Sequence, residues 1–184
     1  MRPRVGTILI LAGSAALVWC LTVLAGTALY EYLSRGQLAR TSVKSTPLMV
    51  HKPRPYDVVG RIEIPRLHLS TVILEGDDDR ALRYGAGHVP STALPDEPGN
   101  VAIAAHRDTF FRPLRHIAPD DRITLSTPDG VFHYVVESTE LVGPKDVRVL
   151  DPSRDPELTL ITCYPFYYVG PAPKRFIVHA RRTS

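Results

Sequence analysis

Two cysteines are all that the 184 residues contain, and they lie far apart, at Cys20 and Cys163. A disulfide framework is therefore excluded as the source of this fold. There is no HExxH and no Cys/His spacing suited to zinc, so the sequence supports no metal site. No internal repeat stands out, and no apolar tail closes the chain at Ser184. Charge is also missing from one long stretch, because none of the residues from Val5 to Tyr30 is Asp, Glu, Lys or Arg.

That stretch is the first positive feature. As a helix it would run roughly 39 Å, enough to cross a hydrocarbon core of about 30 Å with some tilt. Arg2 and Arg4 precede it and Glu31 comes after it. The positive-inside bias then keeps the N-terminus cytoplasmic and exports the chain beyond Tyr30. Gly26-Thr27-Ala28 would suit a signal-peptide cleavage site, but the apolar stretch exceeds the usual length of a signal sequence. An uncleaved signal anchor over 5–30, after a cytoplasmic 1–4, is the expectation. Bulky Val18 and Trp19 before Cys20 argue against a lipid-attachment site, leaving Cys20 as an apolar packing residue.

The formal charge of +3 shrinks once the anchor is set aside. Two of the 22 basic residues precede it and all 19 acidic ones lie beyond it, so 20 basic residues face 19 acidic ones in the exported part. A nearly neutral domain without a basic stripe is no nucleic-acid binder.

Residues 31–56 read as a stalk, since Thr41, Ser42, Ser45, Pro47, Pro53 and Pro55 break any period. From residue 57 to 184 short β-like runs alternate with Pro, Gly and Asp. Strands are expected over Val58–Ile64, Leu67–Leu74, Asn100–Ala105, Arg122–Thr127, Val131–Leu141, Val147–Leu150, Leu158–Cys163 and Lys174–Arg182. Pro128-Asp129-Gly130 marks a hairpin turn, and Gly85 to Gly99 reads as a loop. Short helices are expected over Asp77–Arg83, capped by Asp77 or Asp78, and over Thr109–His116. The triplet Asp77, Asp78 and Asp79 is better explained by capping than by a metal. The domain is thus all-β, a closed barrel or a sandwich of about eight strands.

Within it, Leu158-Thr159-Leu160-Ile161-Thr162-Cys163-Tyr164-Pro165 is a β-forming run stopped by a proline, which presents Cys163 at a strand end. An unpaired exported cysteine is a reactive thiol, half of an intermolecular bridge, or an inert buried residue. A nucleophilic thiol works as thiolate and needs a base or a cation beside it. Of seven histidines, His51 falls in the stalk and His68, His133 and His179 fall mid-strand. His106 differs, because it ends an apolar strand just as Cys163 does. Spacing alone does not show that the two meet.

Thr159-Leu160-Ile161-Thr162-Cys163 resembles the TLxTC motif of sortases, the membrane-anchored cysteine transpeptidases of bacterial surfaces. Gly60-Arg61-Ile62-Glu63-Ile64-Pro65 is similar to that family's opening strand. Gly85-Ala86-Gly87-His88 and Glu97-Pro98-Gly99-Asn100 resemble the family's next loop and strand entry. Ala104-Ala105-His106-Arg107-Asp108-Thr109 resembles the segment of the catalytic histidine, and Ala172-Pro173-Lys174-Arg175-Phe176 that of the catalytic arginine.

The resemblance implies an eight-stranded sortase-like β-barrel from residue 57. It also implies Cys163 as nucleophile, His106 as acid/base and Arg175 as third member, with Thr162 a weaker candidate for substrate contact. It implies an LPxTG-like sorting signal on a surface protein as substrate. The acceptor would be an amine, such as a cell-wall precursor or a pilin lysine, and the location the bacterial cell membrane. No cofactor is implied, and the acidic set of a calcium-dependent subtype is not evident. Cys163-Tyr164-Pro165-Phe166 with Gly170-Pro171-Ala172-Pro173 looks most like class D or class E. Two other readings use the same residues: an exported cysteine endopeptidase without transfer, and a non-catalytic anchored barrel that binds peptides. If Phe176 and Val178 point into the barrel, strand alternation puts Arg175, Ile177 and His179 on its outer face.

Overall fold

The computed structural model describes residues 52–168 and 170–183. The anchor expected over 5–30, and the stalk as far as residue 51, lie outside the described residues. Among the described residues no helix is long and apolar enough to cross a membrane.

Among the described residues eight strands close into a barrel. In chain order they are β1 (Val58–Ile64), β2 (Leu69–Glu75), β3 (Ala86–His88), β4 (Asn100–Ala104), β5 (Arg122–Thr127), β6 (Gly130–Val142), β7 (Glu157–Tyr164) and β8 (Lys174–Arg182). Around the wall the order is β1-β2-β3-β4-β7-β8-β6-β5, with β5 pairing back onto β1. Closure leaves no free sheet edge. All pairs are antiparallel except β2 with β3 and β4 with β7. A parallel neighbour needs a crossover, and between β2 and β3 this is the short helix α1 (Asp79–Tyr84). Asp78 caps it, accepting hydrogen bonds from the amides of Arg80 and Ala81 at 3.0 and 2.9 Å.

The barrel is filled by the inward residues of every strand, among them Ile62, Ile73, Val101, Ile103, Leu125, Leu158, Leu160 and Val178. On β7 and β8 alternation behaves as the pleat requires: Leu158, Leu160, Val178 and Ala180 join the interior. Ile161 and Ile177 point the other way, and Ile177 is nonetheless fully buried. It packs with Val142 and Val149 in a second apolar cluster outside the barrel wall, flanked by Leu150 and Ile161. The β6–β7 connection folds back over this face and covers it, so Ile177 does not line open surface.

Several segments differ from expectation. Ala86–His88, inside the expected loop, is a strand. A Cβ on Gly87 would stand 2.1 Å from the Gly76 carbonyl oxygen, so glycine is what allows β3 and the crossover to approach so closely. Val147–Leu150 forms no strand; Arg148–Leu150 is a 3-10 turn whose Val149 is buried in the outer cluster. Thr109–His116 holds only a 3-10 turn, Arg112–His116. His68 is not mid-strand either, but ends the 3-10 turn Pro65–Leu67 with φ of 50°. Tyr56, the last residue of the expected stalk, is tied to the barrel. Its amide donates to the Glu75 carbonyl at 2.8 Å and its hydroxyl to Asp78 Oδ2 at 2.7 Å.

A half-buried ion pair fastens the loop that leads into β5. Asp121 accepts from the Arg66 guanidinium and, at 2.8 Å, from the Ala118 amide. The Arg66 bond, seconded by the Ala118 amide and the Arg66 charge, outweighs burial and holds the Asp121 carboxyl below its ordinary value. A depressed carboxyl contributes stability above its unfolded value of about 3.9 and loses it as pH falls through the lower folded value. Asp121→Asn is therefore expected to lower the urea midpoint at neutral pH and to matter progressively less as pH falls below the unfolded value of about 3.9. Equal loss at both pH values would show that the pair's charge contributes nothing.

Candidate active site

The site is built where β4, β7 and β8 run side by side. β4 and β7 are parallel in a register that carries Asn100 opposite Glu157 and Ala104 opposite Ile161. Continuing that register by two residues brings His106, just past β4, beside Cys163. Two bonds hold the join: the Ala105 amide donates to Ile161 O at 3.1 Å, and the Thr162 hydroxyl donates to Ala105 O at 2.7 Å. Thr162 is buried, so its hydroxyl serves as the tie between the two strand ends.

β8 supplies the third residue. It is antiparallel to β7, with Cys163 directly opposite Arg175. Residues paired across a strand project to the same face, with Cβ atoms about 4.5–5.5 Å apart. Cys163, Arg175 and His106 accordingly open into one cleft of about 360 Å³, in the range of small-ligand pockets. Its lining includes Ala104 and Ile161 from the outer face of β4 and β7. The crossover around α1 contributes Asp77, Asp79 and Leu82, and the β6–β7 connection contributes Val147, Val149 and Leu150.

Chemically the cleft is a partly apolar trough with a reactive end. Cys163 is a free, partly exposed thiol. Among the described residues no carboxylate pairs with Arg175, whose one hydrogen bond runs from Nη1 to the Lys174 carbonyl at 3.3 Å. A guanidinium without a counter-ion in a cleft has donors left for a bound carbonyl or oxyanion, which a merely solubilising surface charge would not need. Among the described residues no hydrogen bond joins the His106 ring to the thiol, and both residues line the same cleft.

Two contributors were not legible in the sequence. Arg107, next to His106, donates from Nη2 to the carbonyls of Tyr168 and Gly170 at 2.7 and 3.0 Å, and its guanidinium lies 5.8 Å from the Tyr168 ring centre. It thereby holds the loop that connects Cys163 to Arg175. His88 is buried with Glu75, Nδ1 to Oε2 at 2.7 Å, while its Nε2 donates to Ala93 O at 2.9 Å. This pair pins β3 to β2 and is closed to the cleft. An Arg beside the candidate histidine was the only sequence signal for the first, and nothing in the pattern announced the second.

A family model described as "Sortase domain" matches residues 62–183. The chain belongs to the sortase family. It is 37% identical over 134 residues to sortase D of Bacillus subtilis (strain 168), which covers 72% of this chain and 68% of the relative. Among solved structures, a Clostridium perfringens sortase D5 transpeptidase superposes with a TM-score of 0.63 at 29% identity, covering 70% of this chain and 80% of that one. A sortase E variant from Streptomyces avermitilis gives 0.61 at 29% identity, covering 72% and 91%. Sortases of the expected classes D and E are both among the matches, and so are sortases A and C. As a sortase the chain is a cysteine transpeptidase, and the readings as a peptide-binding barrel or a purely hydrolytic peptidase are not favoured.

Proposed function

We propose that Cys163 is the acyl carrier, His106 the proton shuttle and Arg175 the oxyanion donor in transpeptidation of an LPxTG-like sorting signal. The observation that carries this reading is the register: Cys163 stands opposite Arg175, and the β4–β7 alignment brings His106 to the same strand end. The thiolate attacks the scissile backbone carbonyl, and Arg175 donates to the oxygen that gains charge. The C–N bond breaks, His106 protonates the departing amine, and an acyl-thioester remains on Cys163. An incoming amine then attacks, His106 takes its proton, the C–S bond breaks and a new amide forms.

In this reading Thr162 is a positioning residue, since its hydroxyl ties the Cys163 and His106 strand ends together. The apolar lining accepts the aliphatic part of the signal, and the amine is a cell-wall precursor or a pilin lysine. Val5 to Tyr30 anchors the protein in the bacterial cell membrane by a single pass, with the catalytic domain outside. The full chain is tested by mass spectrometry with an LPxTG-like peptide and an amine acceptor. A protein adduct with the mass of the acylated N-terminal fragment, discharged by the amine into ligated peptide, supports the mechanism. Product without any Cys163-linked intermediate would overturn it.

A further inference from the structure

The wall of the cleft contributed by the β6–β7 connection is fixed to the barrel in two different ways. On its inner side Asn100 Nδ2 donates to the carbonyls of Val149 and Asp151 at 3.0 and 3.3 Å, while Thr159 donates to Asn100 Oδ1 at 2.8 Å. Val149 adds the apolar contacts with Val142 and Ile177. On its outer side the fixing runs through the Glu140 carboxylate. Glu140 on β6 divides its carboxylate, Oε1 meeting His179 Nε2 of β8 at 2.9 Å and Oε2 meeting Arg148 Nη2 of the wall at 3.1 Å. Arg148 also lies 3.6 Å from Asp146, whose Oδ1 accepts the Arg148 amide at 3.1 Å. Asp146 itself lines the cleft.

We infer that His179, Glu140 and Arg148 form a latch that holds this wall closed over the substrate trough, which makes Glu140 and Arg148 positioning residues for peptide binding. The inference rests on the transpeptidase reading for its occupant, but the latch itself is a property of the wall. Several features single out these contacts. They join a strand pair that belongs to the barrel to a connection that does not. None of the three side chains lines the cleft, so their influence on a peptide passes through the position of Val147, Val149 and Leu150. Arg148 is 63% exposed and Glu140 34%, so salt and solvent reach the pair. A solvent-reached pair is weak beside the energy of a whole barrel, yet it suffices to bias a local opening of one connection.

The test uses the full chain carrying Glu140→Gln, Arg148→Ala, both together, or Arg148→Lys. KM for the sorting peptide is expected to rise about two- to fivefold in each of the first two, with kcat nearly unchanged. The double variant should be no worse than the singles, and Arg148→Lys should stay near wild type. Raising salt should raise the wild-type KM and leave that of Arg148→Ala where it is. A readout independent of turnover is tryptic cleavage after the exposed Lys145, in the same connection, expected to quicken in the latch variants. Unchanged Lys145 cleavage, or kcat and KM unmoved in both single variants, overturns the latch. A protein that ligates no peptide but shows the quickened cleavage keeps the latch and discards the transpeptidase reading.

Discussion

Cys163→Ala leaves a folded protein that forms no covalent intermediate with a sorting peptide and yields no ligated product. The expected loss is complete, because no other described thiol exists to carry the acyl group. Folding should survive, since Cys163 is partly exposed and lies outside the barrel interior formed by Leu158, Leu160 and their neighbours. Circular dichroism and the urea midpoint check this directly. His106→Ala separates the thiol's roles from the proton's: turnover is expected to fall by about 10²–10⁴. Ligation persisting at wild-type rate in Cys163→Ala would refute the covalent route, whatever the fate of the histidine variant.

Arg175→Lys is the second large effect, and it distinguishes a reaction role from a surface charge. Lysine keeps the charge but loses the planar fork of donors that fits a carbonyl oxygen and its neighbouring backbone. A fall of about 10²–10³ in kcat is expected, the size associated with removing one oxyanion donor. Little change should appear in KM or in the alkylation of Cys163 by a small electrophile, because neither requires a developing oxyanion. If Arg175 only made the strand edge soluble, Arg175→Lys would behave as wild type in every assay. That Arg175 has no carboxylate partner among the described residues argues for the first outcome. A structural charge at 34–63% exposure elsewhere on this face, as in Glu140 and Arg148, is paired.

Much of the framework was legible because its signals are local. Lys174–Arg182 and Val58–Ile64 are strands over the expected residues, and Pro128-Asp129-Gly130 turns one strand into the next. β3 was hidden because three residues with a central glycine carry no periodic pattern. They become a strand only when the α1 crossover lays them beside β2, where the lack of a side chain permits contact with Gly76. Val147–Leu150 misled in the opposite direction. Its apolar β-branched residues suit a strand, but the energy of covering Ile177 and Ile161 is gained by folding back as a turn. The count of eight strands was right although one member was exchanged for another.

What the chain determined by itself was the set of candidate groups and their places at strand ends: a thiol before Pro165, an imidazole after an apolar run, a guanidinium at the start of the last strand. Those depend on residue type, alternation and proline, all of which act within a few residues. Their meeting was decided by tertiary structure. β4 must lie parallel to β7, and β8 antiparallel to it, before His106 and Arg175 reach Cys163 from either side. Register between strands 57 residues apart is set by closing the whole barrel around one core, as the Thr162 bond to Ala105 records. The wall over the site belongs to the same level, since Glu140, Arg148 and His179 become neighbours only once the barrel is shut.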